Sequence, residues 1–380
     1  MRNLNLDPKY LLKRWGPPIL LLLFFLAFVI WINQVDKIPL VSREGQTFEK
    51  AVVTEIIQDN LMPDGSRVGE QRVMVRMLTG PKEGEELETT SSSGYLFGAG
   101  CTVGMHVVVM QSIAGDTVIN TVYTQDREMT IYIFAALYLV VLCLVGGKQG
   151  LKGALGLVFT FLCILFVYLP LVYRGCSPFW VAVFVCIITT LVTMYLIGGP
   201  TKKTVVATGG TVAGVVIAGF SATIFSIASG ISGWNVSDIE SLLTLWNVSG
   251  IQVGGLLFSG LLISSLGAVM DVAMSISSAC WELRELNPDL PRKALFRSGM
   301  NIGQDAMGTM ANTLILAFAG SSLNTLLLFQ IFDYPMIQIF NADSIAIEII
   351  RGVAGTIGII LTVPLVALLS AEIMGPKKNA

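Results

Sequence analysis

Long apolar segments separated by short polar connections restrict what this chain can fold into. Hydrophobic residues make up 53% of its 380 residues and charged residues only 13%, which is more apolar surface than one soluble core can bury. About 20 apolar residues in a helix cross a bilayer. The segments predict a polytopic α-helical membrane protein with about eight transmembrane helices. They are 19–32, 130–145, 154–172, 179–197, 205–228, 251–278, 306–331 and 346–370.

The first apolar segment resembles the charged and hydrophobic regions of a signal peptide. Basic residues at 9–14 precede it, but Asn33-Gln34-Val35-Asp36-Lys37 follows where a small-residue cleavage site would be expected. We therefore predict a cytoplasmic N-terminus at 1–16 and an uncleaved transmembrane anchor at 17–33.

Residues 41–127 differ in composition from the rest of the chain, because short alternating segments are interrupted there by turn-forming Gly, Pro and Asp. Closure of four or five short strands removes exposed sheet edges. The region predicts a small extracytoplasmic β-barrel-like domain of OB or SH3-like type. Candidate strands are 48–57, 71–77, 106–111 and 117–123.

Lysine and arginine are concentrated in every second connection between the apolar segments. This predicts the orientation of the chain in the membrane, because positive charge is retained in the cytoplasm. The short connections of the other set carry only Arg174. Both termini are predicted to be cytoplasmic, with a seven-helix transmembrane domain at 128–371 and a cytoplasmic tail at 372–380. The basic residues are Lys148, Lys152, Lys202, Lys203, Arg284, Arg292, Lys293, Arg297, Lys377 and Lys378.

Small residues recur three or four positions apart in several apolar segments, which lets helix backbones approach closely. Tight packing within the bundle is the simpler interpretation, and a glycine-lined pathway is the alternative. The stripes also permit dimerisation without demanding it. They comprise Gly210 and Gly214; Gly255 and Ser259; Gly260 and Ser264; and Gly352, Gly355 and Gly358.

Segment 251–278, continued to Glu282, carries one polar stripe that centres on Asp271. Helical spacing places the carboxylate on a face with small and polar residues, while Val, Met and Ile occupy the rest, so Asp271 is expected to face other helices. A carboxylate at the inner membrane interface is the alternative. The stripe consists of Ser264, Gly267, Asp271, Ser275, Ser278 and Glu282.

The following span opens with a second polar face, formed by Asn301, Gln304, Asp305, Gly308 and Asn312. Because this helix runs from inside to outside, Asp305 is expected at a depth close to that of Asp271. Two such carboxylates with amides nearby could bind a cation, or one could carry a proton. Hydrogen-bonded packing is the alternative, and whether the two carboxylates touch is left open.

Glu348 and Arg351 lie three residues apart near the outer end of the last span and can pair on one helix face. An outer ion pair is the expected role, and an outer gate is the alternative.

Enzymatic chemistry is not expected. Gly230-Ile231-Ser232-Gly233 matches the GxSG of intramembrane serine proteases, but the single histidine, His106, lies in the β domain and no base accompanies the serine. Nucleotide-binding and metalloprotease motifs are absent from the sequence. We therefore expect no catalytic residues, no metal site, no cofactor and no nucleic-acid partner.

Three polar blocks, Gly267 to Glu282, Ser298 to Asn312 with Gly320, and Glu348 to Pro364, occur in this order after the anchor and β domain. With them the chain resembles the YibE/F family of bacterial membrane proteins. The resemblance implies the plasma membrane of a Gram-positive bacterium and supplies no biochemical function.

The order of Gly267, Asp271 and Glu282, followed by an amphipathic stretch at 286–296, also resembles the fourth and fifth helices of resistance-nodulation-division and SecD/SecF-type permeases. That resemblance implies proton coupling at Asp271, although this chain has one Asp rather than a pair and a much smaller exported domain.

Two functions follow as expectations. The first is a membrane transporter or permease component, ion- or proton-coupled, with an unknown substrate. The second is a non-transporting membrane scaffold that docks a partner through its β domain. The lipid bilayer is the expected environment, and a second copy or a membrane protein of the same family is the expected partner. The pathway residues are Asp271, Ser275, Asn301, Gln304, Asp305 and Asn312.

Overall fold

The computed structural model describes residues 23–34, 45–92, 99–114, 117–234, 243, 246 and 252–376. The chain divides into two units. One is Lys37–Leu142, and the other joins Met1–Asp36 to Cys143–Ala380.

The first unit contains a closed barrel of five strands in the order β1-β2-β3-β5-β4. The first strand pairs with β4 through its first half and with β2 through its second half, and two bulges interrupt the pairing with β2. Parallel pairing of β3 with β5 closes the sheet, as in a five-stranded Greek-key barrel of the OB type. The strands are β1 (Gln46–Gln58), β2 (Glu70–Met77), β3 (Glu86–Ser92), β4 (His106–Ala114) and β5 (Thr117–Gln125).

The four predicted strand segments lie within β1, β2, β4 and β5. The third strand was missed because its sequence, Glu-Leu-Glu-Thr-Thr-Ser-Ser, lacks alternating apolar residues. In β2 the alternation is regular, so Val73, Val75 and Met77 point into the core while Arg72 and Arg76 remain outside.

Gln71 is a polar residue inside the barrel, 1% exposed, and its amide is fully used. Its Nε2 donates to the Cys101 carbonyl oxygen at 3.0 Å and to Asp59 at 3.1 Å, and its Oε1 accepts from the Cys101 backbone N–H at 2.8 Å. The side chain therefore fixes the segment around Cys101 to β2. Burial raises the pKa of the Cys101 thiol, which keeps it protonated and unreactive.

Apart from an isolated bridge between Leu61 and Arg67, the remaining secondary structure of the described chain is helical. A π-helix, Ile164–Tyr168, joins α2 to α3, and a 3₁₀ turn, Val253–Gly255, precedes α6. The helices are α1 (Leu23–Asn33), α2 (Glu128–Cys163), α3 (Leu169–Tyr173), α4 (Pro178–Gly198), α5 (Lys202–Ser229), α6 (Leu256–Leu286), α7 (Arg292–Ser321), α8 (Leu323–Ile331), α9 (Met336–Phe340) and α10 (Asp343–Met374).

Five helical stretches of the described chain are long and apolar enough to cross a membrane, and a sixth results if α7 and α8, bent by 54°, form one span. The expected count of eight is not confirmed. Two predicted spans, 130–145 and 154–172, fall in one helical stretch that is broken at Gly147, where φ is 53° and ψ is −130°. The described part of the anchor is shorter than a full span.

The anchor helix α1 packs against the helical unit. Phe25 contacts Phe159 with ring centroids 5.6 Å apart, and the Asn33 amide donates to the Phe166 carbonyl at 2.8 Å. Arg174, the one basic residue of the predicted outer connections, donates to the Trp31 carbonyl at 2.7 Å. A cation there caps the carboxyl end of the helix and interacts favourably with the negative end of the helix dipole.

The centre of the bundle is a seam between α5 and α10. A Cβ on Gly358 would lie 2.7 Å from Ala218 Cβ and 3.0 Å from the Gly214 carbonyl oxygen. A Cβ on Gly214 would overlap Thr362 and lie 2.7 Å from Val269 of α6. Tight packing, the simpler interpretation of these small residues, is confirmed at this seam.

Candidate functional site: an open polar face on α6 and α7

Helix α6 has two faces of opposite character. Its buried face packs against α4, α5, α7 and α10 through residues such as Val269, Val272 and Ile276, each at most 1% exposed. Asp271 and Ser275 are on the other face and are exposed. Within the described chain Asp271 packs against no helix, which differs from the expectation that it faces other helices. Larger apolar side chains fill the space between helices better, so the apolar face packs inside and the small polar face is left outside.

Helix α7 shows the same division. A Cβ on Gly303 would lie 2.9 Å from Ile276 Cδ1, and a Cβ on Gly299 would lie 3.0 Å from Cys280 Sγ and 3.1 Å from Ala367 Cβ. These glycines hold α7 close to α6 and α10. The predicted polar residues occupy the opposite, exposed face. They are Asn301, Gln304, Asp305, Gly308 and Asn312.

The two carboxylates lie at similar depth. Asp271 precedes the end of α6 at Leu286 by a helical length of about 22 Å, and Asp305 follows the start of α7 at Arg292 by about 20 Å. The short connection between these two ends holds them at one level. The equal depth predicted from the sequence therefore agrees with the helix bounds, whereas no contact between the two carboxylates is found in the described chain.

No hydrogen bond or ion pair connects the predicted pathway side chains to any other residue in the described ranges. Those ranges also contain no group of three or more His, Cys, Asp or Glu residues that could hold a metal ion. A charged carboxylate in the middle of a membrane costs roughly 2.5–3.5 kcal/mol on insertion scales. The carboxylates and amides therefore need water, an ion or another polypeptide as a partner. The residues concerned are Asp271, Ser275, Asn301, Gln304, Asp305 and Asn312.

We call the two exposed surfaces together the open polar face. It comprises Ser264, Gly267, Asp271, Ser275 and Glu282 of α6 and Arg297, Asn301, Gln304, Asp305, Gly308 and Asn312 of α7.

The ion pair predicted between Glu348 and Arg351 on the last span is present, and its position at the outer side stays a prediction. Arg351 Nη1 lies 2.8 Å from Glu348 Oε1, and the side chains are 29% and 23% exposed. Within the described chain, the second Glu348 oxygen and the Arg351 Nε are buried without a hydrogen-bond partner. Glu348 lines an apolar cleft of about 290 Å³ together with Phe318, Leu326 and Gly352. The ion pair thus lies between α7, α8 and α10.

A second cleft, of about 410 Å³, lies where α5 ends and α6 begins. Gly230 ends α5 in the left-handed conformation, with φ of 68°, and Ser232 of the GxSG segment lines the cleft beside Trp234 and Phe258. The described lining residues include no histidine and no carboxylate. Sequence reasoning missed this cleft because it depends on the packing of Gly233 against the Gly254 backbone.

The model of the YibE/F-like protein family matches residues 134–376. The match begins inside α2 and continues beyond α10, so it covers the whole open polar face and leaves out the anchor and the barrel. The resemblance expected from the sequence extended over nearly the whole chain and is wider than this match. No curated protein and no solved structure matches the chain.

Proposed function

Because the chain belongs to the YibE/F-like family of membrane proteins, we propose that it is a transporter or permease component that conducts an ion or a proton along its open polar face. The substrate class is a monovalent cation, with the proton included. We locate the protein in the plasma membrane of a Gram-positive bacterium, with both termini in the cytoplasm and the barrel outside.

One observation carries the proposal. Asp271 lies at depth in an apolar span and is exposed, and no described residue of its own chain pairs with it. Ionisable residues inside membrane spans are costly and most often belong to ion pathways or proton relays. Since Asp271 stabilises no contact within the described chain, a role toward a mobile ion explains its presence.

The composition of the face suits this role. Carboxylate oxygens of Asp271 and Asp305 and amide oxygens of Asn301, Gln304 and Asn312 are hard ligands of the kind that bind cations without transition-metal chemistry. A proton is the alternative cargo, because intramembrane carboxylates also serve in proton relays.

Two contacts agree with the predicted grouping of helix ends on the two sides of the membrane. Arg292 at the start of α7 lies 2.6 Å from Glu372 near the end of α10 and donates to the Pro376 carbonyl at 3.1 Å, so two predicted cytoplasmic ends meet. At the predicted outer side, Arg174 joins the end of the anchor helix to the end of α3.

The test is flux into proteoliposomes under an imposed proton or sodium gradient. We expect Asp271→Asn to lower flux at least tenfold and Asp305→Asn to lower it severalfold. Asp289→Asn is the matched control, because Asp289 is exposed in the connection between α6 and α7. Full flux in both Asp271→Asn and Asp305→Asn would overturn the proposal.

A scaffold function is the second candidate, and an exposed aromatic pair on the barrel favours it. Phe48 and Tyr123 are 40% and 46% exposed, and their rings meet edge to face with centroids 5.2 Å apart. Aromatic side chains such as Phe and Tyr are enriched in protein–protein interfaces. In a scaffold, deletion of 41–127 abolishes activity while Asp271→Asn leaves it unchanged. A hydrolase is not proposed, since no general base lines the described cleft at Ser232.

A further inference from the structure

The open polar face lacks partners within the described chain, and its own charges indicate which surface complements it. Glu282 on α6 and Arg297 on α7 are both exposed at its cytoplasmic end. Within the ranges that the structure describes, neither side chain forms an ion pair. An acid and a base thus remain unpaired on two neighbouring helices.

The depths of these residues match. Glu282 lies about 6 Å along the helix from Leu286, and Arg297 lies about 8 Å from Arg292. Deeper in the membrane, Asp271 lies at about 22 Å and Gln304 at about 18 Å from the same ends. Each acid on α6 therefore has a hydrogen-bond donor on α7 at nearly its own level.

A two-fold axis along the membrane normal preserves the depth of every residue. It places α6 of one protomer beside α7 of the second, antiparallel, and it does so twice, so each contact is made reciprocally. No described atom lies within 4 Å of a Cβ built on Gly260, Gly267 or Gly308. The backbones of the two protomers can therefore approach closely there.

We propose that a second copy of this chain covers the open polar face, with Glu282 of each copy paired to Arg297 of the other and Asp271 beside Gln304 of the other. Lipid acyl chains supply no hydrogen-bond donor at the level of Asp271, and a copy of the same chain supplies donors in the required order. The proposal does not rest on transport, because it concerns assembly and is measured without flux.

A charge-reversal test exploits the reciprocity. Two copies of Glu282→Arg place the introduced guanidinium against Arg297 twice, and two copies of Arg297→Glu place the introduced carboxylate against Glu282 twice. Mixed dimers of the two variants restore both pairs. We expect each variant alone to lose self-association at least tenfold in nanodiscs, and the two co-expressed with different tags to co-purify as well as the wild type. Lys202→Glu is the matched control, because Lys202 is exposed at the start of α5, away from the open polar face.

A cysteine test covers the case in which a charge reversal impairs folding. Cys143 and Cys176 are first replaced by Ser, because they are not buried and could form disulfides of their own. The other four cysteines are buried and are left unchanged. We expect Ser275→Cys on one tagged copy and Gln304→Cys on another to form a disulfide under mild oxidation, since bonding requires Cβ atoms about 4 Å apart. Phe220→Cys, 67% exposed on α5, replaces Ser275→Cys in the control.

Three outcomes would overturn the proposal. The wild type could be monomeric in native membrane discs, as counted by photobleaching of single labelled chains. Both charge variants could self-associate as the wild type does. The Phe220→Cys control could also cross-link as fast as Ser275→Cys. Cross-linking of the designed pair together with failure of the mixed charge variants would retain the face and reject the Glu282–Arg297 pair.

Discussion

The seam between α5 and α10 and the outer stripe of α6 have similar sequences and opposite surroundings. Both repeat Gly, Ser or Thr at helical spacing. At the seam, a Cβ built on Gly214 or Gly358 would lie closer than 3 Å to a side chain of the facing helix. On α6, a Cβ built on Gly260 or Gly267 would meet no described atom within 4 Å.

The difference teaches that a small-residue stripe specifies close approach but not its partner. The seam closes within the chain because bulky side chains such as Val269, Val363 and Val366 flank it and bury against each other. The α6 stripe carries Asp271 and Ser275, which gain nothing from aliphatic neighbours. Four substitutions can break or sharpen this comparison.

The largest effect is expected for Gly214→Leu at the seam. The new side chain would overlap Thr362 and Val269, so we expect a loss of about 3 kcal/mol or more in the free energy of unfolding. Gly267→Leu, measured on monomeric protein, is the control, because within one chain a Cβ there meets no described atom. The measurement is the thermal midpoint of purified protein in detergent. Equal midpoints for the two variants would remove the distinction between seam and stripe.

Gln71→Ala tests a polar group whose partners all lie within the chain. It leaves the Cys101 backbone N–H and carbonyl unsatisfied in the barrel core, so we expect about 2 kcal/mol of destabilisation of the barrel alone. The destabilisation is measured as the rate at which the Cys101 thiol is labelled at increasing concentrations of denaturant. Gln58→Ala, at an exposed end of β1, should change nothing. A labelling rate like that of the wild type would contradict the assignment.

Arg351→Met tests the half-buried ion pair between Arg351 and Glu348. Glu348 then keeps its charge without its cation, but both side chains retain solvent exposure, so we expect a loss of about 1 kcal/mol. The thermal midpoint in detergent should fall by a few degrees, and Glu348→Gln combined with Arg351→Met should recover part of it. No recovery in the double variant would show that the cation acts through packing rather than charge.

The smallest effect on stability is expected for Asp271→Asn. Since no described residue pairs with the carboxylate, the free energy of unfolding in detergent should change by less than about 0.5 kcal/mol, as judged from the thermal midpoint. A clear destabilisation of the monomer would show that Asp271 has a partner within the chain. Unchanged stability together with lost flux would separate function from folding at this residue.

Several features could be predicted from residue order. Alternating apolar residues indicated four of the five strands. The polar strand β3 was not predicted, because its extended conformation depends on pairing with its neighbours in the barrel. Helical spacing placed Asp271 with Ser275, and Asp305 with Asn301, on common faces. It also predicted the Glu348–Arg351 pair, because residues three apart on one helix meet wherever the helix packs.

The sequence by itself determined the membrane class and the polar faces, because hydropathy and helical periodicity are local properties. Only the tertiary structure decided which face of each helix is buried. That choice depends on how well side chains from distant segments fill one space, and Val269, Ile276 and Val363 fill it better than Asp271 could. The same competition left the acids and amides of α6 and α7 on the outside.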